Sequence, residues 1–252
     1  MAAHAAVIEG HEVDIISKRR KSEMFGAQYL HKPIPSLPEV SSGIVLYRLE
    51  DGTHEEYRLK VYGHEFGGQV STQQFGEPHD AWDIRATYNS LWDLYFERIK
   101  SAEWDRSNSH VLTEQIVVNY DMVISSLPRP VLCFNPQHQF ASKKIWAVGD
   151  APERGVFVPF RVENMNVICS ASPEVGWYRA SNIFGYGTVE WALRKKPPVA
   201  GVSVVVKPLA TDCDCWPMIR HVGRYGKWKK GVLSHTAYFD TLDYVVKGVF
   251  IQ

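Results

Sequence analysis

The chain has 252 residues, 45% hydrophobic and 22% charged, which suits one large domain or two small ones around a buried core. Lys and Arg number 28, as do Asp and Glu, so net charge gives no electrostatic case for nucleic acid or an anionic membrane. Neither a bilayer-spanning apolar stretch of ~20 residues nor a signal-peptide pattern is present, which leads to the expectation of a soluble, cytoplasmic protein.

Ala2 to Ile8 is alanine-rich and favours helix, with Gly10 as the residue that closes it. Glu12 to Ser17 reads as a β-branched strand, so the chain begins inside a βαβ unit, with no strand ahead of its helix. The basic run Lys18, Arg19, Arg20 and Lys21 reads as a solvated turn. Gly43 to Leu49 and His54 to Tyr62 read as two strands of a hairpin around Glu50-Asp51-Gly52-Thr53. Between Glu77 and Ala102, Trp82, Ile84, Leu91, Tyr95 and Ile99 recur at helical spacing opposite Asp83, Arg85, Asp93 and Glu97. That pattern predicts one long helix with Pro78 in its first turn. Strands are predicted at Tyr120 to Ser126, Ile145 to Val148, Val167 to Ser170, Trp177 to Ile183 and Val202 to Val206. A last helix is expected from about Ser234 to Val249, with Ser234 as its N-cap.

In dinucleotide-binding folds a pyrophosphate rests on a helix N-terminus that follows a Gly-x-Gly-x-x-Gly turn, and small residues early in that helix let it approach the sheet. Ala2, Ala3, Ala5 and Ala6 suit such a helix, although an alanine-rich core helix reads the same way. The glycine turn is absent, and Ser17 followed by Lys18 stands where an acidic residue would meet the ribose. Tyr120 to Pro128 is a buried strand ending in small residues and a proline. The segment His221-Val222-Gly223-Arg224-Tyr225-Gly226-Lys227-Trp228, continuing to Gly231 and Val232, combines glycines that permit close backbone approach with an arginine. Read as structure alone, Gly223 and Gly226 form a turn.

Taken in order, these segments resemble FAD-binding flavoproteins of the two-dinucleotide-binding-domain class, the UDP-galactopyranose mutase and amine-oxidase-like proteins, with bacteriophage-encoded relatives. The resemblance covers most of the chain and is weakest over residues 77–119. It implies a mixed α/β fold. A Rossmann-like FAD-binding domain, lacking its first strand and glycine-rich loop, takes residues 1–40, 115–150 and 215–252. An interleaved antiparallel-sheet substrate domain takes 41–114 and 151–214. The resemblance also implies FAD held by Ala2, Ala3, Ser17, Lys18, Gly26, Ala27, Gln28, Gly223, Arg224, Trp228, Gly231 and Val232. Tyr178 and Arg179 face a small-molecule substrate as candidate catalytic residues. The expected chemistry is the flavin's, with the protein supplying orientation and charge. A flavin-dependent sugar mutase is a variant of this reading. Its rivals are a truncated relative that binds without catalysis, and an NAD(P)-binding protein in which Lys18 and Arg19 favour a 2′-phosphate.

Other constellations are weaker. Cys133, Cys169, Cys213 and Cys215 make no disulfide framework in a chain this long. Asp212-Cys213-Asp214-Cys215 puts two thiols on one side of an extended segment, with His221 as a candidate third ligand and no clear fourth, so no metal site is predicted. The chain has no His-Glu-x-x-His pattern, Gly-x-Ser-x-Gly elbow or P-loop.

Overall fold

A computed structural model of the chain describes residues 1–17, 20, 23–63, 75–102, 104–105, 107–149, 162–193, 197 and 199–247. Lys18 and Arg19, assigned above to nucleotide recognition, lie outside the described residues. The fold is mixed α/β, and no helix among the described residues is long and apolar enough to cross a membrane.

Helix α1 (Ala2–Ile8) ends as its sequence predicts. Gly10 adopts a left-handed φ of 87°, its N–H donates to the Val7 carbonyl, and the His11 N–H donates to that of Ala6, the two bonds of a Schellman cap. Strand β1 is shorter than expected, Ile15–Ser17. Strand β2 (Ser42–Glu50) follows.

The hairpin predicted at 50–53 is instead a helix start. Helix α2 (His54–Tyr62) is capped by Thr53, whose Oγ1 accepts from the Glu56 N–H at 3.2 Å while Glu56 Oε2 accepts from the Thr53 N–H at 2.7 Å. This reciprocal capping box outweighs the strand-like look of the segment. The single long helix predicted over 77–102 is divided as well. Pro78–Trp82 is strand β3, antiparallel to β2, and Asp83 accepts from the Arg85 and Ala86 N–H groups to start α3 (Ile84–Tyr95). A 3₁₀ turn, Phe96–Arg98, then leads to strand β4 (Ile99–Ser101).

Helix α4 (Ser109–Val117), strand β5 (Val123–Ser125), helix α5 (Arg129–Leu132) and strand β6 (Phe140–Val148) come next. Then follow strands β7 (Asn166–Ser170), β8 (Trp177–Ile183), β9 (Tyr186–Ala192), β10 (Val202–Thr211) and β11 (Ile219–His221). Helices α6 (Gly223–Lys227) and α7 (Thr236–Val246) complete the order. The N-cap of α7 is His235 rather than Ser234, and it makes no side-chain capping bond.

Seven strands form one curled sheet in the order β10-β6-β9-β8-β7-β2-β3, antiparallel except where β2 meets β7. One face packs Val45, Tyr47, Ile145, Ala147, Val167 and Ile183 against Tyr57 and Val61 of α2. The opposite face carries Trp177, Ala180, Val189 and Trp191. The sheet alternates as strands must, apart from register shifts at Pro208–Ala210 on β10 and on β8. Trp177 pairs with Trp191 and Arg179 with Glu190, which leaves Tyr178 as an extra residue, a β-bulge.

The remaining strands form two parallel pairs, β1 with β4 and β5 with β11. Asp14, just ahead of β1, links them by accepting from Lys100 on β4 at 2.7 Å and from the Tyr120 phenol that precedes β5.

Candidate functional site

The bulge determines what the site contains. By strict alternation Tyr178 and Arg179 would project to opposite faces. The extra residue sends both to the face covered by α2. Tyr178 packs in that core with its ring 6.3 Å from the Tyr57 ring, and Arg179 acts electrostatically on Tyr47 and Tyr57. Arg179 there meets Glu190 from β9, and Glu190 Oε1 accepts from Lys207 Nζ of β10 at 2.6 Å. The Glu190 side chain is 2% exposed.

Two aromatic rings wall this ion cluster. Lys143 of β6 lies 4.4 Å from the centre of the Tyr62 ring and 5.4 Å from that of Tyr178. Lys207 lies 6.0 Å from the Tyr178 ring and Lys230 lies 4.7 Å from the Tyr62 ring. Arg224 exerts its charge on Tyr62, Lys207 and Lys230.

Burial opposes the ionised form of Glu190, but Arg179 and Lys207 prevail and hold its carboxyl down at about 2. Burial, then the Arg179 charge, brings the Lys207 ammonium down to about 8 despite Glu190. Burial also opposes the Arg179 charge, and Glu190 together with Tyr178, Tyr57 and Tyr47 more than restores it. The Tyr178 phenol is pushed well above its ordinary value by burial and then by Glu190. Among the described residues Arg179 Nε and Arg224 Nε are buried without a hydrogen-bond partner. A buried donor left in that state costs about 1–3 kcal/mol, which an anionic group would relieve.

Gly26 completes the cluster from the N-terminal part of the chain. Its φ is +80°, and a Cβ there would lie 2.5 Å from Glu190 Oε1 and 3.4 Å from Arg179 Nη2. The backbone thus lies directly on the ion pair. Ala27 packs against the same core, and Gln28 Nε2 donates to the Phe25 carbonyl at 2.7 Å, closing the turn.

The closing motif joins through α6. The Val222 N–H donates to the Ser125 carbonyl at 3.0 Å, and a Cβ on Gly226 would lie 2.6 Å from that same oxygen. Glycine is needed there for α6 to lie against the end of β5. Gly223 has φ +67° and Gly231 has φ +81°. Trp228 is buried and its indole donates to the Ala141 carbonyl at 3.0 Å. Val232 is half-buried in the loop before α7. His221 of β11 has both ring nitrogens buried without partners among the described residues, and burial followed by the Arg129 charge brings it down to about 3.

The structure therefore brings Gly26, Ala27, Tyr178, Arg179 and Arg224 into one neighbourhood. Ala2 and Ala3 on α1, and Ser17 at the end of β1, stand apart from it, half-buried. Glu190, Lys207, Lys143 and Tyr62 were not picked out from sequence. The available signal was an acid between Val189 and Trp191, and a lysine closing the run Val204-Val205-Val206, where apolar strands rarely place charge without a partner. An open groove of about 610 Å³, lined by Tyr47, Arg48, Thr53, His54 and Phe75 among others, holds none of the sequence-predicted residues.

Away from this cluster, Cys213 and Cys215 do acquire partners, but not His221. Cys133 and His138 complete a group of four. No protein-family model, curated protein or solved structure matches this chain.

Proposed function

We propose that the chain is an FAD-dependent, oxidoreductase-like flavoprotein acting on a small molecule, with the ring bound at the Tyr62–Tyr178–Arg179–Arg224 cluster. One observation carries the reading. Residues assigned to the site from three distant parts of the chain, Gly26 and Ala27, Tyr178 and Arg179, and Arg224, converge on a neighbourhood rich in fixed positive charge, with two arginine Nε donors buried and without a partner among the described residues. Such a site suits a flat group that gains negative charge on reduction. The two parallel strand pairs support a Rossmann-like nucleotide-binding part, since parallel strands joined by helical crossovers are the usual frame for a dinucleotide.

Bound FAD supplies hydride or electron transfer. The chain's own groups do the rest. Glu190 fixes Arg179, leaving its Nε to orient an anionic group. Tyr178 and Tyr62 give aromatic walls and exclude water. Gly26 lets the main chain approach where a side chain would block. Ser17, Ala2 and Ala3 are assigned to the nucleotide end.

The test is an absorbance spectrum of the purified chain with and without added FAD, followed by gel filtration. Flavin bands that travel with the protein, and are lost in Arg224→Ala, support the reading. A colourless protein that leaves added FAD in the free fraction overturns it, and the cationic cluster is then an anion-binding site of another kind.

A further inference from the structure

We propose that Cys133, His138, Cys213 and Cys215 form a structural zinc site. The ligand atoms of all four lie within 4.8 Å of one another. Cys133 Sγ and Cys215 Sγ are 3.8 Å apart, and each is 3.5 Å from His138 Nδ1. With Zn–S of about 2.3 Å and Zn–N of about 2.0–2.1 Å, a regular tetrahedron has S···S edges of about 3.8 Å and S···N edges of about 3.5 Å. The observed separations match those edges. All four cysteines are free, so none of these thiols is engaged in a disulfide.

The ligands are set by structure that does not need the metal. Cys133 follows α5, and a turn bonded from the His138 N–H to the Asn135 carbonyl at 3.3 Å returns the chain toward it. Cys213 and Cys215 lie on the segment between β10 and β11. Gln139 N–H donates to Asp212 at 2.8 Å and Thr211 Oγ1 donates to the Gln139 carbonyl at 2.8 Å, pinning the two loops together. Arg129 adds a bond to the Cys213 carbonyl at 2.7 Å.

His138 also has the outer partner that a metal-bound imidazole needs. With Nδ1 toward the thiols, its Nε2 lies 3.2 Å from the Asn135 side-chain amide and 3.4 Å from the Asp214 carboxylate. A carboxylate there fixes the tautomer and raises the basicity of the ligand nitrogen. Four protein ligands of the Cys₃His type leave no open position, so the role is to hold structure rather than to activate water. The ion would tie the residues that follow α5 to those that precede β11, clamping the connections of the β5–β11 pair. Binding releases the thiol protons to solvent.

The test is metal analysis of the full chain purified without chelator, together with cobalt(II) titration of the stripped protein. We expect about one zinc per chain, and cobalt spectra with tetrahedral d–d bands and a thiolate-to-cobalt charge-transfer band. Asp214→Asn should weaken zinc affinity about 10- to 100-fold with the fold intact. His138→Cys should retain zinc and strengthen the thiolate band, a gain that misfolding could not mimic. Absence of zinc together with absence of a cobalt–thiolate band overturns the site. So does an intact mass showing a Cys133–Cys215 disulfide as the stable state of the freshly purified chain.

Discussion

Lys143 on β6 and Lys207 on β10 are direct cross-strand neighbours, and both ammonium groups lie within 6.0 Å of the centre of the Tyr178 ring. Like charges placed opposite each other on a sheet repel. Glu190, reaching across from β9, binds one of them and Arg179 besides, and so makes the arrangement tenable.

Glu190→Gln removes that carboxylate while keeping its volume, and leaves Arg179 and Lys207 facing each other. Breaking a buried pair from one side costs about 3–5 kcal/mol, and a loss of that order is expected in urea unfolding at neutral pH. The pH dependence has a definite sign. Glu190 has an ordinary value of 4.5 and a folded value of about 2, so between these the unfolded chain binds more protons. Its contribution is whole above about pH 4.5 and is lost as the pH falls toward 2. The urea midpoint of the variant should therefore vary less over that window than the parent's, and equal slopes would sink the assignment.

Gly26→Ala puts a methyl group 2.5 Å from Glu190 Oε1, at a φ of +80° that alanine resists. We expect about 1–3 kcal/mol of destabilisation by thermal unfolding, through backbone strain and displacement of the carboxylate. An unchanged melting temperature would show that the close approach is not a constraint.

His221 gives a second acid-sensitive element with a different cause. Its ring is buried and neutral, with a folded value of about 3 against an ordinary 6.5. Between those values the unfolded chain takes a proton that the folded one refuses, so stability declines as the pH falls from 6.5 toward 3. His221→Leu removes the titration and two buried ring nitrogens that have no partner among the described residues. Stability at pH 7 should be unchanged or higher, and the fall between pH 6.5 and 4 shallower, as read by denaturant midpoints. A steeper fall would contradict the burial argument.

Thr53→Ala removes one half of the capping box of α2. The expected cost is about 1 kcal/mol in chemical unfolding. Thr53→Asp, which keeps a capping acceptor, should recover most of it, and failure of that rescue would point to some other role for Thr53.

The legible parts of the fold were those that local chemistry determines. Gly10 marked the end of α1, and β8 was readable at both ends because Trp177 to Ile183 is dense in residues that suit a strand. The segment 54–62 was misread because its apolar residues are few and Thr53 with Glu56, three residues apart, is an easily overlooked helix signal. The segment 77–102 misled for the opposite reason. Its apolar spacing is helical throughout, yet Pro78–Trp82 is held by pairing with β2, a partner more than thirty residues earlier in the chain. The candidate site was legible at Arg224, inside a glycine-rich motif, and at Gly26 and Arg179, which the resemblance implied. It was hidden where a single charge on an otherwise apolar strand acquired meaning from two neighbouring strands, as with Glu190. The Cys213–Cys215 pair was visible, but its other half, Cys133 and His138, arrives from about 80 residues away, which spacing alone cannot reveal.

The extra residue on β8 has a consequence for how this chain tolerates change. A regular strand offers a chamber only every second letter of its sequence, whereas here two adjacent letters, Tyr178 and Arg179, serve the same one. Removing any one residue from 177 to 179 would restore regular alternation and leave only one of those two side chains in the chamber. Composition would be almost unaltered, yet the partnership with Glu190 would be broken or the aromatic wall lost. At this point the molecule is more sensitive to a change in the length of its chain than to a change in its content.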